Sequence, residues 1–306
     1  MAKNRSWLVG ALAMSLMGSS VRVSSTLVHA PLLVAQAARY GGAALAVLVL
    51  CVVRGAPGAR PPLAPRGREW AWLTGVSVTG LVLFNVAVVR GLLYAQPAAI
   101  AVVLAGVPFG LALTAPIVGQ RAPTARLLLG AAIVTGGAVM VEGGGKTSLP
   151  GIAWAAMALV CEICFTLLAV PVLGRHLSWG VSFHSVWIAA LMLAVMSLIV
   201  EGPGAAGRLS AANWAAVGGL AALTVVAFVC WYSAVSHLGP GRAGLLSGAA
   251  PVAAALATLA SGGGAPTGIT WGGVVVVIIG LGVGLGARPQ DARSMKAFSP
   301  LEPDLG

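Results

Sequence analysis

Glu162 is a carboxylate in a stretch of sequence that otherwise avoids charge. It sits eleven residues into the apolar segment 151–172, which at about 1.5 Å per residue is close to the middle of a membrane-length helix. A charged side chain at mid-bilayer costs about 2.5–3.5 kcal/mol on insertion scales, so one that persists needs a partner or a purpose. Thr166 follows four residues later on the same helical face. Out of water a carboxyl favours its protonated form unless a cation holds the charge, which is the chemistry a proton-coupled carrier uses. Arg39, eight residues into the apolar segment 32–53, cannot shed its proton and must face a partner or a water-filled cavity. Two readings of Glu162 are therefore open: a substrate or proton site, or a structural ion pair with Arg39.

Other polar residues fall inside apolar segments as well. Arg22 shares a helical face with Ser15, Ser19 and Thr26, a stripe suited to a cavity wall, although Arg22 could equally reach the outer interface. Asn85 and His184 are candidate site residues whose rival role is to bond a neighbouring helix. Trp187, Phe228, Trp231 and Tyr232 are pocket walls on one reading and packing on the other. Cys161 and Cys164 form a CxxC with no second pair and no His cluster, so the four cysteines predict neither a metal site nor a disulfide framework. Gly143-Gly144-Gly145-Lys146-Thr147 ends like a phosphate-binding loop, but Met140 stands where its first glycine is required and no strand precedes it.

The elements that must hold these residues are membrane helices. The 306-residue chain is 58% hydrophobic and 8% charged, against roughly 25% charged in a soluble domain. Ten segments approach the ~20 apolar residues that a span requires: 7–26, 32–53, 70–89, 97–118, 126–142, 151–172, 180–200, 212–235, 242–260 and 269–287. The start of the chain imitates a signal peptide, but Pro31 after Val28-His29-Ala30 and Arg22 within the apolar tract favour a retained helix. The segment 288–306, with mixed charges and two prolines, is expected to be a disordered cytoplasmic tail.

The net charge of +11 does not imply nucleic acid, because Lys and Arg fall in the short gaps between apolar runs. With the N-terminus inside, thirteen of the eighteen basic residues lie on the cytoplasmic side. Only Arg90, Lys146 and Arg208 lie outside, and Arg22 and Arg39 lie within spans. The positive-inside rule then places both termini in the cytoplasm. Trp7, Trp70, Trp72, Trp154, Trp179, Trp214 and Trp271 sit near span edges, as an interfacial aromatic belt requires.

The chain also repeats itself. Shifted by 143 residues, 94–142 lies over 237–285 without a gap, with eleven identities in 49 positions. Pro97 falls on Pro240, Pro108 on Pro251, Gly130 on Gly273 and Gly137 on Gly280, and Ala122-Pro123-Thr124 recurs as Ala265-Pro266-Thr267. Five spans per repeat is an odd number, so the second half enters from the opposite side: an inverted repeat, as in alternating-access carriers. The matched Pro108 and Pro251 are expected to bend helices four and nine near the site and to bring them together.

These residues resemble the EamA domain of the drug/metabolite transporter superfamily. The stretch 92–141 resembles the domain's second half, through the small residues before Pro108, Gly119-Gln120-Arg121, Leu129-Gly130-Ala131-Ala132 and Gly136-Gly137. Gly18-Ser19 and Arg39-Tyr40 look like the family's Gly-Ser and Arg-aromatic positions, and the second repeat matches more loosely through Pro251 and Gly273. Two positions depart from the family pattern: Gln120 stands where an acid is usual, and Met17 where a Trp is usual. The resemblance implies an all-α integral membrane protein of ten transmembrane helices, made of two EamA-like repeats at 1–146 and 147–287. It also implies a secondary transporter, often an exporter, of amino acids, metabolites or drugs in a bacterial-type inner membrane.

Together the residues lead to an expected site of Glu162, Arg39, Arg22, Ser19, Asn85, Thr166, His184, Trp231 and Tyr232, flanked by the bends at Pro108 and Pro251. Arg and Glu in one cavity would suit a zwitterion such as an amino acid. The expected partners are the lipid bilayer and a small-molecule substrate, with protons as a candidate coupling ion and a second copy of the chain as a candidate dimer partner. No cofactor and no enzymatic activity are expected. A channel would want a continuous polar stripe, and a membrane-embedded enzyme would want paired acids or a Ser/Lys/His cluster; neither pattern is evident in the sequence.

Overall fold

The computed structural model describes residues 6–24, 27, 30–52, 62–119, 122–260 and 267–286, the side chains of 21, 22 and 24 excepted. The Arg22 side chain, Thr26, Gln120, Arg121, residues 54–61 of the 54–69 loop, residues 261–266 and the 288–306 tail therefore lie outside the described structure. The described chain is helical throughout, apart from one isolated antiparallel bridge between Ala95 and Thr147. We number the helices α1 (Ser6–Ser24), α2 (Leu32–Val52), α3 (Glu69–Gly91), α4 (Pro97–Val118), α5 (Ala125–Glu142), α6 (149–176), α7 (178–200), α8 (Ala211–Leu238), α9 (Pro240–Ala260) and α10 (Gly268–Leu285).

By length and composition, eight helices among the described residues can cross a membrane, one of them being Leu149–Val200. Its 52 residues would run about 78 Å if straight, against a hydrocarbon core of about 30 Å. The chain folds back instead. Leu168 packs on Gly75, and Ser185 accepts a hydrogen bond at its carbonyl from Ser77 Oγ (3.0 Å). A straight helix would set residues 168 and 185 about 25 Å apart, yet both touch α3 within two residues of each other. The reversal lies at Leu177, whose φ of 56° and ψ of 179° interrupt the helix, a positive φ that a bulky residue rarely adopts. The first apolar helix, α1, has 19 residues, against 18 each in α5 and α10.

The repeated residues make the same local structures. Thr124 caps α5 by accepting from Leu127 N (3.2 Å), and Thr267 caps α10 by accepting from Thr270 N (3.3 Å). The threonine that ends the recurring Ala-Pro-Thr is therefore a helix cap, its hydroxyl satisfying a free backbone N–H. Pro108 and Pro251 act alike too. A proline clashes with the carbonyl four residues back, here at Leu104 and Ser247. The first segment of α4 ends at Leu104, and α9 passes through a 3-10 turn at Leu246–Gly248.

α5 and α10 pack face to face through glycines. A Cβ on Gly137 would lie 2.7 Å from Val277 N and 2.9 Å from Gly273 O. A Cβ on Gly280 would lie 2.7 Å from Val134 N, and one on Gly130 would lie 3.0 Å from Gly280 O. Adding 143 turns 137 into 280, 134 into 277 and 130 into 273, so each contact has its partner under the shift. Position 130 meets 280 while 137 meets 273, which makes the two helices antiparallel. The local two-fold axis therefore runs across the helices rather than along them. Without a hydrophobic force between helices in lipid, such close backbone approach is a main source of association.

Helices α4 and α9 also meet, through Leu111 against Gly244 and Ala112 and Ala115 against Gly241. Their contact is thus with the first segment of α9. Pro251 lies past the 3-10 turn, in the segment that packs on α1, where a Cβ on Gly18 would fall 2.1 Å from Ala250 O.

Candidate functional site

Glu162 lies on the inward stripe of α6. Ala155, Ala158, Thr166 and Ala169 share its face and are buried, whereas Met157 and Val160 on the opposite face are exposed. Glu162 itself is only half-buried. It has no hydrogen-bond or ion-pair partner among the described residues. One turn on, Thr166 Oγ1 accepts from Trp231 Nε1 (3.3 Å), and Phe165 stacks at 5.4 Å on both Phe228 and Tyr232 of α8.

Arg39 does not pair with Glu162. Its Nε donates to Thr224 Oγ1 (2.8 Å) and its Nη1 to Gln36 Oε1 (3.4 Å), and the guanidinium lies 5.3 Å from the centre of the Tyr40 ring. Gln36 Nε2 donates to Asn85 Oδ1 (3.1 Å), and Asn85 Nδ2 donates to Tyr40 Oη (3.1 Å) and to Leu81 O (2.6 Å). Asn85 follows the π-helical segment Ser77–Leu83, where Gly80 admits the Phe165 ring; such wide turns re-aim the side chains after them. A polar network thus ties α2, α3 and α8 together. Thr224 lies one turn before Phe228, and Phe228 meets Phe165 three residues after Glu162. The cation and the acid flank the same stretch of α8.

The other expected residues are placed elsewhere. Ser19 Oγ bonds back to Ser15 O (2.8 Å) within α1. Trp231 and Tyr232 are sealed in the core, and Tyr232 Oη lies near Ser185 without hydrogen-bonding geometry. His184 Nδ1 accepts from Trp187 Nε1 (3.0 Å), so Nε2 carries the proton and donates to Leu63 O (3.0 Å), fastening the segment before α3. Gln36 and Thr224 were not among the expected site residues. Gln36 carried a signal, a polar residue three positions before Arg39 within a span. Thr224 carried none, since a helix threonine ordinarily bonds its own backbone, as this one also does to Leu220 O (2.7 Å).

Acids tie the helices at both ends of the bundle. At one end Glu201 accepts from the backbone N–H groups of Leu33 (2.8 Å) and Val34 (2.9 Å) at the start of α2, and from Ser197 Oγ (2.8 Å). At the other, Glu69 pairs with Arg175 and with His176 Nε2 (3.1 Å) and accepts from Arg66 N (2.8 Å). A groove of about 550 Å³ between α2 and α7 lies beside Glu201 and is lined mainly by alanines, with little to orient a charged solute.

Residues 149–284 match the EamA-like transporter family. The EamA likeness thus lies in the second half of an all-helical chain with several membrane-length helices. Its helices also follow a solved crystal structure at 21% identity with a TM-score of 0.76, covering 92% of this chain and 98% of the other; at that identity the likeness concerns the fold alone. Among curated proteins, a probable terminal-alkyne amino-acid exporter of Streptantibioticus cattleyicolor is 25% identical over 197 residues. That match covers 63% of this chain and 65% of the relative, so the chain spans somewhat less than two thirds of the relative's length.

Proposed function

We propose that the protein is a secondary transporter that exports a small metabolite, an amino acid or a related amphiphilic solute, by alternating access. The observation that carries this reading is Glu162: an acid at mid-helix, on the inward face, with no hydrogen-bond or ion-pair partner among the described residues. The EamA match and the amino-acid exporter named among its relatives support the same direction and solute class. The reciprocal α5–α10 contacts support two inverted repeats, 1–146 and 147–287, and the reversal at Leu177 supports ten spans. Rocking of one repeat against the other would open the site first to one side and then to the other. The acid ties at Glu201 and Glu69, at opposite ends of the bundle, are suited to hold one end closed while the other opens. Protons are the candidate coupling ion, through Glu162.

In this account both termini are cytoplasmic in a bacterial-type inner membrane, and Lys146 is outside. In a variant lacking Cys51, Cys161, Cys164 and Cys230, Ala64→Cys should resist and Lys146→Cys should accept a membrane-impermeant thiol reagent added to intact cells. Labelling of both from one side would refute the orientation. The export reading is tested in cells fed L-propargylglycine, a terminal-alkyne amino acid. Expression should lower its steady-state intracellular level several-fold relative to an empty vector. Equal accumulation with the protein in the membrane would contradict export of this class.

A further inference from the structure

Arg39 is held firmly yet left incomplete. Its side chain is more than nine-tenths buried, with the residue 7% exposed, and a guanidinium carries five N–H donors. Nε and Nη1 each make one bond, to Thr224 and Gln36. Nη2 makes none among the described residues, and no carboxylate there lies within ion-pair distance of it. The neighbours have little more to offer. The amide of Gln36 is fixed by Asn85, the amide of Asn85 by Tyr40 and Leu81, and the hydroxyl hydrogen of Thr224 goes to Leu220 O. Nη2 is not sealed inside protein either. The fully enclosed side-chain atoms without partners belong to Thr135, His176, Ser182 and Tyr232.

A permanent charge that is buried and unpaired is strongly unfavourable, so the free edge calls for an anion. A planar fork of donors suits a carboxylate, which can take two parallel N–H bonds. Building on the transporter reading above, we propose that the Nη2 edge of Arg39 binds a free carboxylate of the transported solute. Gln36, Asn85 and Tyr40 act as positioning residues that lock the guanidinium. Glu162 borders the same stretch of α8 through its neighbour Phe165, which meets Phe228. The substrate class is then a zwitterionic α-amino acid, and a solute whose carboxylate is masked should be refused.

The test uses the purified full-length protein and three probes, L-propargylglycine, L-methionine and L-phenylalanine, each paired with its primary carboxamide. The amides keep size and amine but lose the anionic group. Calorimetric binding should favour at least one acid over its amide by tenfold or more. Arg39→Gln should erase that preference. Asn85→Ala should weaken the acid several-fold and leave the amide unchanged, a selective effect that a merely structural role would not give. Arg39→Lys, which keeps the charge and loses the fork, should retain a reduced preference, so the proposal stays testable if Arg39→Gln fails to fold. Acids and amides bound alike by the wild type, or neither bound, would overturn the carboxylate site. Transport of the amides in liposomes alongside such a result would leave the transporter reading intact.

Discussion

Gly137→Ala and Gly280→Ala should each lower thermal stability in detergent, by similar amounts, while Gly136→Ala and Gly282→Ala should not. Alanine favours a helix over glycine by about 1 kcal/mol, so the open positions should be neutral or slightly stabilised. Nothing lies within 4 Å of a Cβ at Gly136 or Gly282. At Gly137 and Gly280 the added carbon meets backbone nitrogen of the facing helix at 2.7 Å, and backbone on both sides cannot yield as a side-chain tip would. Overpacking of this kind costs roughly 1–3 kcal/mol, more than the helix propensity returns. Leucine at either position should prevent the α5–α10 pair from closing, with loss of the folded monodisperse protein. The equality of the two effects is the informative part, because it follows from the two-fold exchange of contacts. A large loss at Gly137 with none at Gly280 would show that the two helices are not related in this way.

Glu162→Gln should leave folding intact and remove transport. Gln keeps the shape and hydrogen-bonding capacity of Glu, so the change isolates charge. Because Arg39 is held by Thr224 and Gln36 rather than by Glu162, the substitution strands no cation. Had the two formed a buried pair, breaking it would cost about 3–5 kcal/mol. Melting temperatures of wild type and Glu162→Gln should therefore agree closely. A hydrogen bond to a charged group contributes about 1.5–3 kcal/mol, so a solute ammonium held by Glu162 should lose roughly ten- to a hundredfold in apparent affinity. A stable and fully active Glu162→Gln would make Glu162 a bystander in a wet cleft.

The frame of the fold was legible because lipid makes simple demands. Long apolar runs had to be helices, and the 143-residue register matched glycines and prolines whose roles are local: close approach at Gly130, Gly137, Gly273 and Gly280, breaks at Pro108 and Pro251. The threonine of the repeated Ala-Pro-Thr is a helix cap in both copies. The turn between α6 and α7 was expected as a short gap, yet Gly174 stays helical and Leu177 takes the positive φ instead. Around that turn Arg175 and His176 are tied to Glu69 at the start of α3 and His184 to Leu63 before it, contacts more than a hundred residues apart in sequence.

The site was legible residue by residue but not in its pairing. Glu162, Arg39 and Asn85 stood out because each is polar in a span. Which of them touch is set by helix rotation, and rotation follows from the packing of apolar faces that look alike in sequence. An ion pair between Glu162 and Arg39 was one natural reading of two isolated opposite charges. The structure instead gives Arg39 a threonine 185 residues away and gives the acid no partner among the described residues. Trp231 and Tyr232, expected to line a pocket or to pack, are sealed in the core. Glu201 was not among the expected residues, yet its carboxylate satisfies two free N–H groups at the start of α2.

The central claim is that a solute passes through the bundle at Glu162, and counterflow in proteoliposomes tests it most directly. Vesicles loaded with millimolar L-propargylglycine, L-methionine and L-phenylalanine would be diluted into trace labelled L-phenylalanine or L-propargylglycine. Wild-type protein should give a transient accumulation of label well above that of empty vesicles. Glu162→Gln, equally reconstituted and equally stable, should stay at the empty-vesicle level. Absence of counterflow for wild type with folded protein in the vesicles, or equal counterflow for wild type and Glu162→Gln, would contradict the account.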